Sequence, residues 1–501
     1  LDIDYPFVAS DGAIKYYQAE GYSRNGVFNL ECSYPAKELD PEFKYFPINY
    51  PWAVFFKEGK FPCVFQYPPF FSLLGTILAK FSLLPYSLYI PLLFYFFNIL
   101  LLDSIFCIFA NNKNTKSIFF LNLFHFIAFP LLTIVDYSEN SIFHFFNLLA
   151  ILFFSKYLIQ NKTASQWQLV AIGLLWGIAA VFRVEVIVAI AALLFVYFLF
   201  SLSISTIGKY VSMGVGFFIV ISLFVYFNII TVGEPLGLRF LSQLDNDKAS
   251  LGILEHLKFA KAYLWGDEYM IGLFRYTPFL VFSFLLFIPS LFRKSSLHTK
   301  IFLLSGILYF LVASLSVTVY GGTGQFGLRY MEGGFIFAVI GLGLFWKDCK
   351  PDISAYSRVV LYLLFFYLLS LTWKNTKEGL KIIRNSSADY KKAMRVYSKV
   401  GKEGVIIHSS LYSSYFLGSS FLEHKHMNLY DSESCGQIFK KLKKKTPIVL
   451  VTPPKNQFIT PDIPKKLYPR YSLDSSCPTK KIKILETTEI RGLQFQLGEL
   501  K

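Results

Sequence analysis

Charge is what this sequence has least of. Only 16% of its 501 residues are Asp, Glu, Lys or Arg, against about 25% in an ordinary soluble domain. That shortage argues against a soluble globular enzyme. Also missing are a zinc-finger spacing, an RNA-binding motif and a Gly-Lys-Ser/Thr phosphate loop, so a nucleic-acid or ATP-driven role has no motif to stand on. No internal repeat is found, which counts against a transporter built from inverted halves. What is abundant is apolar surface: 54% of residues are hydrophobic, 19% are aromatic, and Phe alone fills 55 positions. These residues come in unbroken runs such as Leu193 to Phe200 and Phe279 to Phe287. Runs of this kind make the chain a multi-pass α-helical membrane protein.

The net charge of +16 is uneven. Residues 374–501 hold 24 basic and 11 acidic side chains, or +13, while residues 1–373 hold 25 and 22, or +3. We therefore divide the chain into an outer loop with an interfacial helix (1–85), a transmembrane body (86–373) and a basic extracytoplasmic α/β domain (374–501). Short β-branched runs at Val405-Ile406-Ile407 and Ile448-Val449-Leu450-Val451 read as strands, and Lys440 to Lys445 as the end of an exposed helix. On a membrane-attached chain, the basic tail points to anionic lipid head groups or a polyanionic glycolipid, with a plain solvated lysine face as the alternative. Leu1 in place of Met leaves two readings, a removed leader or a first span upstream.

Ten spans are expected, at 86–110, 117–135, 141–159, 168–182, 184–203, 208–230, 273–292, 301–319, 333–346 and 359–373. Pro68 to Leu84, which opens on two prolines and carries Lys80, is read as interfacial or re-entrant. The lysine- and arginine-bearing loops then share one side, which the positive-inside rule makes cytoplasmic. The outer side receives Cys32 and Cys63 in the first segment and Cys435 and Cys477 in the tail, and proximity suggests one disulfide in each.

Five outer-face groups could carry chemistry. The first runs from Ser10 to Gly21 and holds Asp11, Lys15, Tyr16 and Tyr17; taken alone, Asp11 is an ordinary helix cap. Tyr67-Pro68-Pro69 is the second, a rigid entry to the interfacial helix. Third is Asp136-Tyr137-Ser138-Glu139-Asn140, whose carboxylates at a membrane edge need water, a metal or a basic partner. The fourth, Arg183-Val184-Glu185, places two charges at a hairpin tip. Residues two apart on a helix point different ways, so Arg183 is expected to need an external anion, for which a phosphate suits its fork. The fifth is the glycine-rich stretch Tyr320 to Gly334, with Arg329, Tyr330 and closely spaced backbone N–H groups.

In this order and on one side, these groups resemble the GT-C superfamily of lipid-phosphate-sugar-dependent glycosyltransferases, and in particular the bacterial relatives of protein O-mannosyltransferases and the lipid A aminoarabinose transferase. The matching elements are Asp11 with Tyr16, Tyr17 and Ala19, then Pro68-Pro69-Phe70, Asp136/Glu139, Gly233-Glu234-Pro235-Leu236-Gly237 and Gly327-Leu328-Arg329-Tyr330. The chain departs in having Asp11-Gly12 where many members carry an acidic pair.

The resemblance implies inverting transfer of a sugar from a polyprenyl-phosphate donor to a glycolipid, glycan or protein acceptor at the outer face of the cytoplasmic membrane. Asp11 is then the base, with Asp136 and Glu139 as acceptor-orienting or second acidic groups. Arg183 and Arg329 are the phosphate clamps, and Lys15, Tyr16, Glu185 and Tyr330 are further substrate-binding candidates. No cofactor is required, although a divalent cation is left open, and no metal ligands are assigned. A flippase of a lipid-linked saccharide and an O-antigen polymerase or ligase are the alternatives.

Overall fold

The computed structural model describes residues 10–26, 29–48, 52–56, 61–110, 128, 130–135, 137–160, 163–239, 252–267, 271–292, 295–316, 328–349, 354–409, 416–429, 432–452, 477 and 479–501. Asp136 and the glycine-rich stretch up to Gly327 lie outside this set. The chain divides into two compact units. One comprises residues 89–230 and 246–382, the other residues 1–88, 231–245 and 383–501.

The first of these units is helical. Its long elements are α3 (Ile90–Ala110), α4 (Asn140–Phe154, extended by a π-turn Ser155–Ile159), α5 (Gln166–Phe182), α6 (Val186–Ser201), α7 (Ile204–Val232), α8 (Ile253–Trp265), α9 (Val281–Phe292), α10 (Leu297–Ser316), α11 (Glu332–Cys349) and α12 (Ala355–Ser398). The last residues of α7 and α12 run on into the other unit.

Among the described residues six helices are long and apolar enough to cross a membrane: Leu84–Phe109, Asn140–Ile159, Thr206–Val232, Leu297–Ser316, Leu328–Asp348 and Ala355–Ser398. Three of the ten expected spans are shorter. The hairpin α5–α6 has arms of 17 and 16 residues, about 25 Å at 1.5 Å per residue. The span expected at 273–292 is broken at Thr277-Pro278, where a single turn, Leu273–Tyr276, gives way to a 3₁₀ turn and then α9. Proline cannot donate to the preceding turn, so the ladder stops there. Most of the span expected at 117–135 is outside the described residues. Helix α11 is the centre of the unit, with 83% of its most apolar window buried, against 11% for α7 and α12. Gly173 lets α5 meet α7 backbone to backbone, since a Cβ there would stand 1.9 Å from the Met213 carbonyl oxygen.

The second unit joins the first segment to the tail. Helix α1 (Ser10–Asn25) has Asp11 in its first turn and Arg24 in its last, both favourable to the helix dipole. Helix α2 (Pro69–Ala79) starts on Pro69 at its first position and, at 11 residues, is too short to cross a hydrocarbon layer of about 30 Å. Side chains tie the two helices together. Gln18 donates to the Tyr67 carbonyl at 2.9 Å, Ser72 donates to Gln18 at 3.0 Å, and Thr76 to the Ala19 carbonyl at 3.2 Å. A two-stranded ribbon, β1 (Ala53–Phe55) with β2 (Cys63–Phe65), is stapled to the stretch after α1 by Cys32–Cys63.

The tail holds β3 (Val405–His408), β4 (Lys425–Asn428), α13 (Ser432–Lys441), β5 (Pro447–Thr452), β6 (Ile482–Ile490) and β7 (Leu493–Leu500). The sheet order is β4-β3-β5-β7-β6, parallel among the first three and antiparallel thereafter. The two β-branched runs identified in the sequence are β3 and β5, buried along their middles, as a parallel sheet requires. The β6–β7 hairpin was not anticipated. Its signal is Arg491-Gly492, both at positive φ (51° and 75°), the backbone of a tight two-residue turn. Helix α13 ends at Lys441, so Lys443 to Lys445 form a turn and not a helix end. Cys435–Cys477 is the second disulfide.

This tail packs on the first segment. The Tyr17 hydroxyl donates to the Gly418 carbonyl at 2.6 Å, Asn428 N–H to the Tyr45 carbonyl at 2.8 Å, the Tyr45 hydroxyl to Gln437 at 3.0 Å and Lys441 Nζ to the Leu39 carbonyl at 2.8 Å. The boundary expected at Lys374 falls inside the continuous helix α12.

Candidate active-site groups

In the helical unit, buried charges gather where α4, the α5–α6 turn and α11 begin or end. Arg183 is 3% exposed and follows the last residue of α5 in extended backbone, φ −150° and ψ 119°. That backbone overturns the expectation that Arg183 and Glu185 point apart. Because Arg183 is not helical, its fork turns back onto Glu185, Nη2 to Oε1 at 2.5 Å and Nε to Oε2 at 3.3 Å. Its remaining nitrogen, Nη1, donates to Asn140 Oδ1 at 2.9 Å and reaches Glu139 at 3.5 Å. Burial opposes the charge, but Glu185 and Glu139 outweigh it and hold the guanidinium above its usual range, with Arg329 acting against them. Every nitrogen of the fork is therefore spent inside the protein. Arg183 thus ties this cluster together through partners inside the protein.

The cluster continues through Asn140 and Glu332, which belong to the third and fifth groups but were given no role there, and through His144, which the sequence did not single out. Asn140 donates to Glu332 Oε1 at 3.1 Å, and His144 Nε2 lies 2.7 Å from Glu332 Oε2. Glu332 is 1% exposed at the first residue of α11, and Asn140 and His144 share one face of α4, four residues apart. Next to Glu332 is a 3₁₀ turn, Leu328–Met331. It carries Arg329, half-buried, with its guanidinium 5.1 Å from the Tyr330 ring and Nη2 3.1 Å from the Tyr330 hydroxyl. The Arg183 guanidinium stands 5.7 Å from the same ring. Tyr309 fixes the turn by donating to the Tyr330 carbonyl at 2.7 Å.

In the other unit the candidates sit on α1. Asp11 accepts from the Trp52 indole N–H at 3.2 Å. One helical turn on, Lys15 is 5% exposed with Nζ 4.9 Å from the Tyr67 ring, and the Arg239 guanidinium lies 5.3 Å from that ring. Two cations thus lie close to one aromatic ring. Tyr16 is buried beside them in sequence. Neither Trp52 nor Arg239 was identified from the sequence, since each reaches its partner only through the fold. Among the described residues no group of three or more His, Cys, Asp or Glu is placed to hold a metal ion.

Apolar helices around a buried acid-led helix, with a small mixed sheet in the tail, define the class: this is an α-helical multi-pass membrane protein with a small C-terminal α/β part. The chain is similar to the solved structure of ArnT from Cupriavidus metallidurans in the apo state, covering 99% of its own length and 94% of that protein's, with a TM-score of 0.55 and 12% sequence identity. At that identity the likeness is one of fold. No protein-family model and no curated protein matches the sequence.

Proposed function

We propose that the chain is a glycosyltransferase that moves a sugar from a polyprenyl-phosphate donor to a glycolipid, glycan or protein acceptor at the outer face of the cytoplasmic membrane, inverting the anomeric carbon. The observation that carries this reading is Asp11, held by Trp52, on the same helix as Lys15 and one turn before it, with Lys15 and Arg239 both close to the Tyr67 ring, on a chain whose fold is like that of ArnT. In the reaction the acceptor oxygen bonds to the anomeric carbon and gives its proton to Asp11. The bond from that carbon to the phosphate oxygen breaks, and its electron pair leaves on the phosphate. A phosphate leaves without being protonated, so one base and positive charge suffice where a glycosidase needs two carboxylates.

In the helical unit Arg329 is the phosphate-binding candidate, with Tyr330 orienting it. Arg183, Glu185, Glu139 and Asn140 form the frame behind it, and Asp136 remains a candidate second acid. Arg329→Ala is expected to reduce donor use by roughly 10²-fold or more, the scale of a lost charge-stabilising donor. Arg329→Lys should fall between that variant and the parent, because it keeps the charge and loses the fork. Steady-state kinetics with a lipid-linked donor measures both, and an Ala variant as active as the parent removes Arg329 from the site.

The tail's charge is more concentrated than the sequence showed. Lys445 N–H donates to the Leu500 carbonyl at 2.8 Å, Lys501 Nζ to the Lys480 carbonyl at 2.9 Å and Lys501 N–H to the Lys481 carbonyl at 3.0 Å. These bonds bring the 443–445 turn, Lys480, Lys481 and Lys501 to one end of the sheet. Replacing Lys443, Lys444, Lys445, Lys480 and Lys481 by Gln is expected to raise the KM for an anionic acceptor several-fold at low salt. The effect should shrink at 0.5 M salt, where screening acts within about 5 Å. An unchanged KM at low salt makes the lysines a solvated face only.

The function itself is tested by comparing the lipid-linked sugars and envelope glycans of a strain lacking this protein with its parent by mass spectrometry. A donor should accumulate and one sugar should be missing from one acceptor. Identical profiles in a strain that normally expresses the protein contradict the reading.

A further inference from the structure

Against α1, the tail holds three imidazoles and a serine in one buried chain, two of the rings on strands and the rest in the segment that precedes β4. His408 Nε2 at the end of β3 is 2.9 Å from Nδ1 of His426 on β4. Nε2 of His426 is 2.8 Å from Ser420 Oγ, which is 3.2 Å from His424 Nδ1. With all three rings neutral the donors can run in one sense, His408 to His426 to Ser420 to His424, and every contact is a hydrogen bond. Adding a proton to an inner ring places two N–H groups nose to nose or forces the sense to reverse.

The surroundings offer a charged ring little help. Tyr397 of α12 faces His408 and His426 edge-on, with ring centroids 6.2 and 5.1 Å away, and Phe421 stands 6.3 Å from His426. Lys425, next to both His424 and His426 in sequence, adds positive charge, and its acidic partner Glu403 is 3.8 Å from it and almost fully exposed. Among the described residues neither His424 nor His426 has a carboxylate partner.

Ser420 sits in the turn that touches α1. On one side of it is Gly418, which accepts the Tyr17 hydroxyl at 2.6 Å; on the other is Phe421, whose ring centroid is 4.6 Å from that of Tyr17. Tyr17 is buried, which with Tyr390, Tyr16 and Tyr397 pushes its ionisation well above the usual range and keeps the hydroxyl a donor. Gly418 has φ +51°, a backbone conformation strained for any residue with a Cβ, so this turn depends on glycine there. Tyr17 is six residues from Asp11, about 9 Å along the same helix.

We propose that Tyr17 is a positioning residue for Asp11, clamped by the Gly418–Leu422 turn while the Ser420–His426–His408 chain is neutral, and that acid releases the clamp and loosens α1. The role given to Asp11 rests on the function proposed above; the clamp on α1 does not. Burial first, then His408 and His424, hold the His426 ring well below its usual protonation range. The sign follows. The unfolded imidazole takes its proton near 6.5, before the folded one does, so the clamp is at full strength above about 6.5 and weakens as pH falls below that value.

Hydrogen exchange on the full chain in detergent, corrected for the intrinsic pH dependence, tests this between pH 8 and pH 5, with the transfer rate measured in parallel. Peptides covering 10–25 and 416–429 should lose protection together below about pH 6.5, by about tenfold for each pH unit that the protonation is shifted. His426→Gln should flatten that acid limb in both peptides and in the transfer rate, since an amide keeps hydrogen bonds but takes no proton. Tyr17→Phe should lower α1 protection and kcat at all pH values while the 416–429 segment keeps its acid response. If His426→Gln does not fold, His426→Asn, a shorter amide that likewise takes no proton, reads the same limb. An α1 segment that stays protected while 416–429 opens, or an acid limb unchanged by the glutamine variant, overturns the proposal. The exchange result stands apart from transfer, so an Asp11 variant that remains active removes the function proposed above without deciding the clamp.

Discussion

Truncation after Ile382 is expected to abolish sugar transfer and unfold α1, and not only to weaken acceptor capture. If the basic tail were a separate outer domain, its removal would leave the Asp11 region standing. The structure instead makes residues 1–88 and the tail one compact unit. Deletion removes the carbonyl that accepts Tyr17, the ring of Phe421 against Tyr17 and Phe46, and the partner of the Tyr45 hydroxyl. Tyr17 and Phe46 are almost completely buried, and uncovering one large aromatic costs about 1.5–3 kcal/mol, a large share of typical domain stability. Exchange protection of residues 10–25 in the truncated chain measures the effect; parental protection would show that α1 stands without the tail.

A comparable loss is expected at Arg183. Arg183→Met removes the guanidinium fork that holds Glu185 in two contacts and also engages Glu139 and Asn140. Breaking a buried ion pair from one side costs about 3–5 kcal/mol, because the partner carboxylate is left without compensation. The thermal midpoint in detergent should therefore drop by many degrees. Adding Glu185→Gln to the same chain should recover part of that loss, since it removes the stranded charge. A midpoint within a degree of the parent in Arg183→Met would mean that the cluster contributes nothing to folding and would return Arg183 to the role of a substrate contact.

The helical body was legible because its signal is composition. Unbroken apolar runs predict spans whatever their neighbours, and α4, α7, α10 and α11 lie where such runs do. Charges set in those runs stand out for the same reason, which is why Arg183, Glu139 and Glu185 could be picked from the sequence. What they bind could not. The helical spacing rule separates Arg183 from Glu185, yet it fails at a residue that has already left the helix, with φ −150°.

Glu332, named only as part of the glycine-rich stretch, and His144, not named at all, could not be paired from the sequence because they are 188 residues apart and meet only where α4 comes near α11. Trp52 and Arg239 were missed in the same way. In the tail the buried strands β3 and β5 carried a β-branched signature, whereas β6 is exposed and polar over most of its length, so only its Arg491-Gly492 turn could have marked it.

The reading that Asp11 accepts the acceptor's proton is tested most directly by one comparison. The purified parent and Asp11→Asn, matched in thermal midpoint, are supplied in nanodiscs with the lipid-linked sugars and acceptor extracted from the native envelope, and released polyprenyl phosphate is followed by mass spectrometry. An amide has the size and hydrogen-bond reach of the carboxylate but does not take the proton. The parent should release one polyprenyl phosphate per sugar transferred, and the variant should be slower by about 10²–10⁴-fold, the range for a lost general base. A variant that releases polyprenyl phosphate at close to the parental rate would contradict the assignment and move the base off α1.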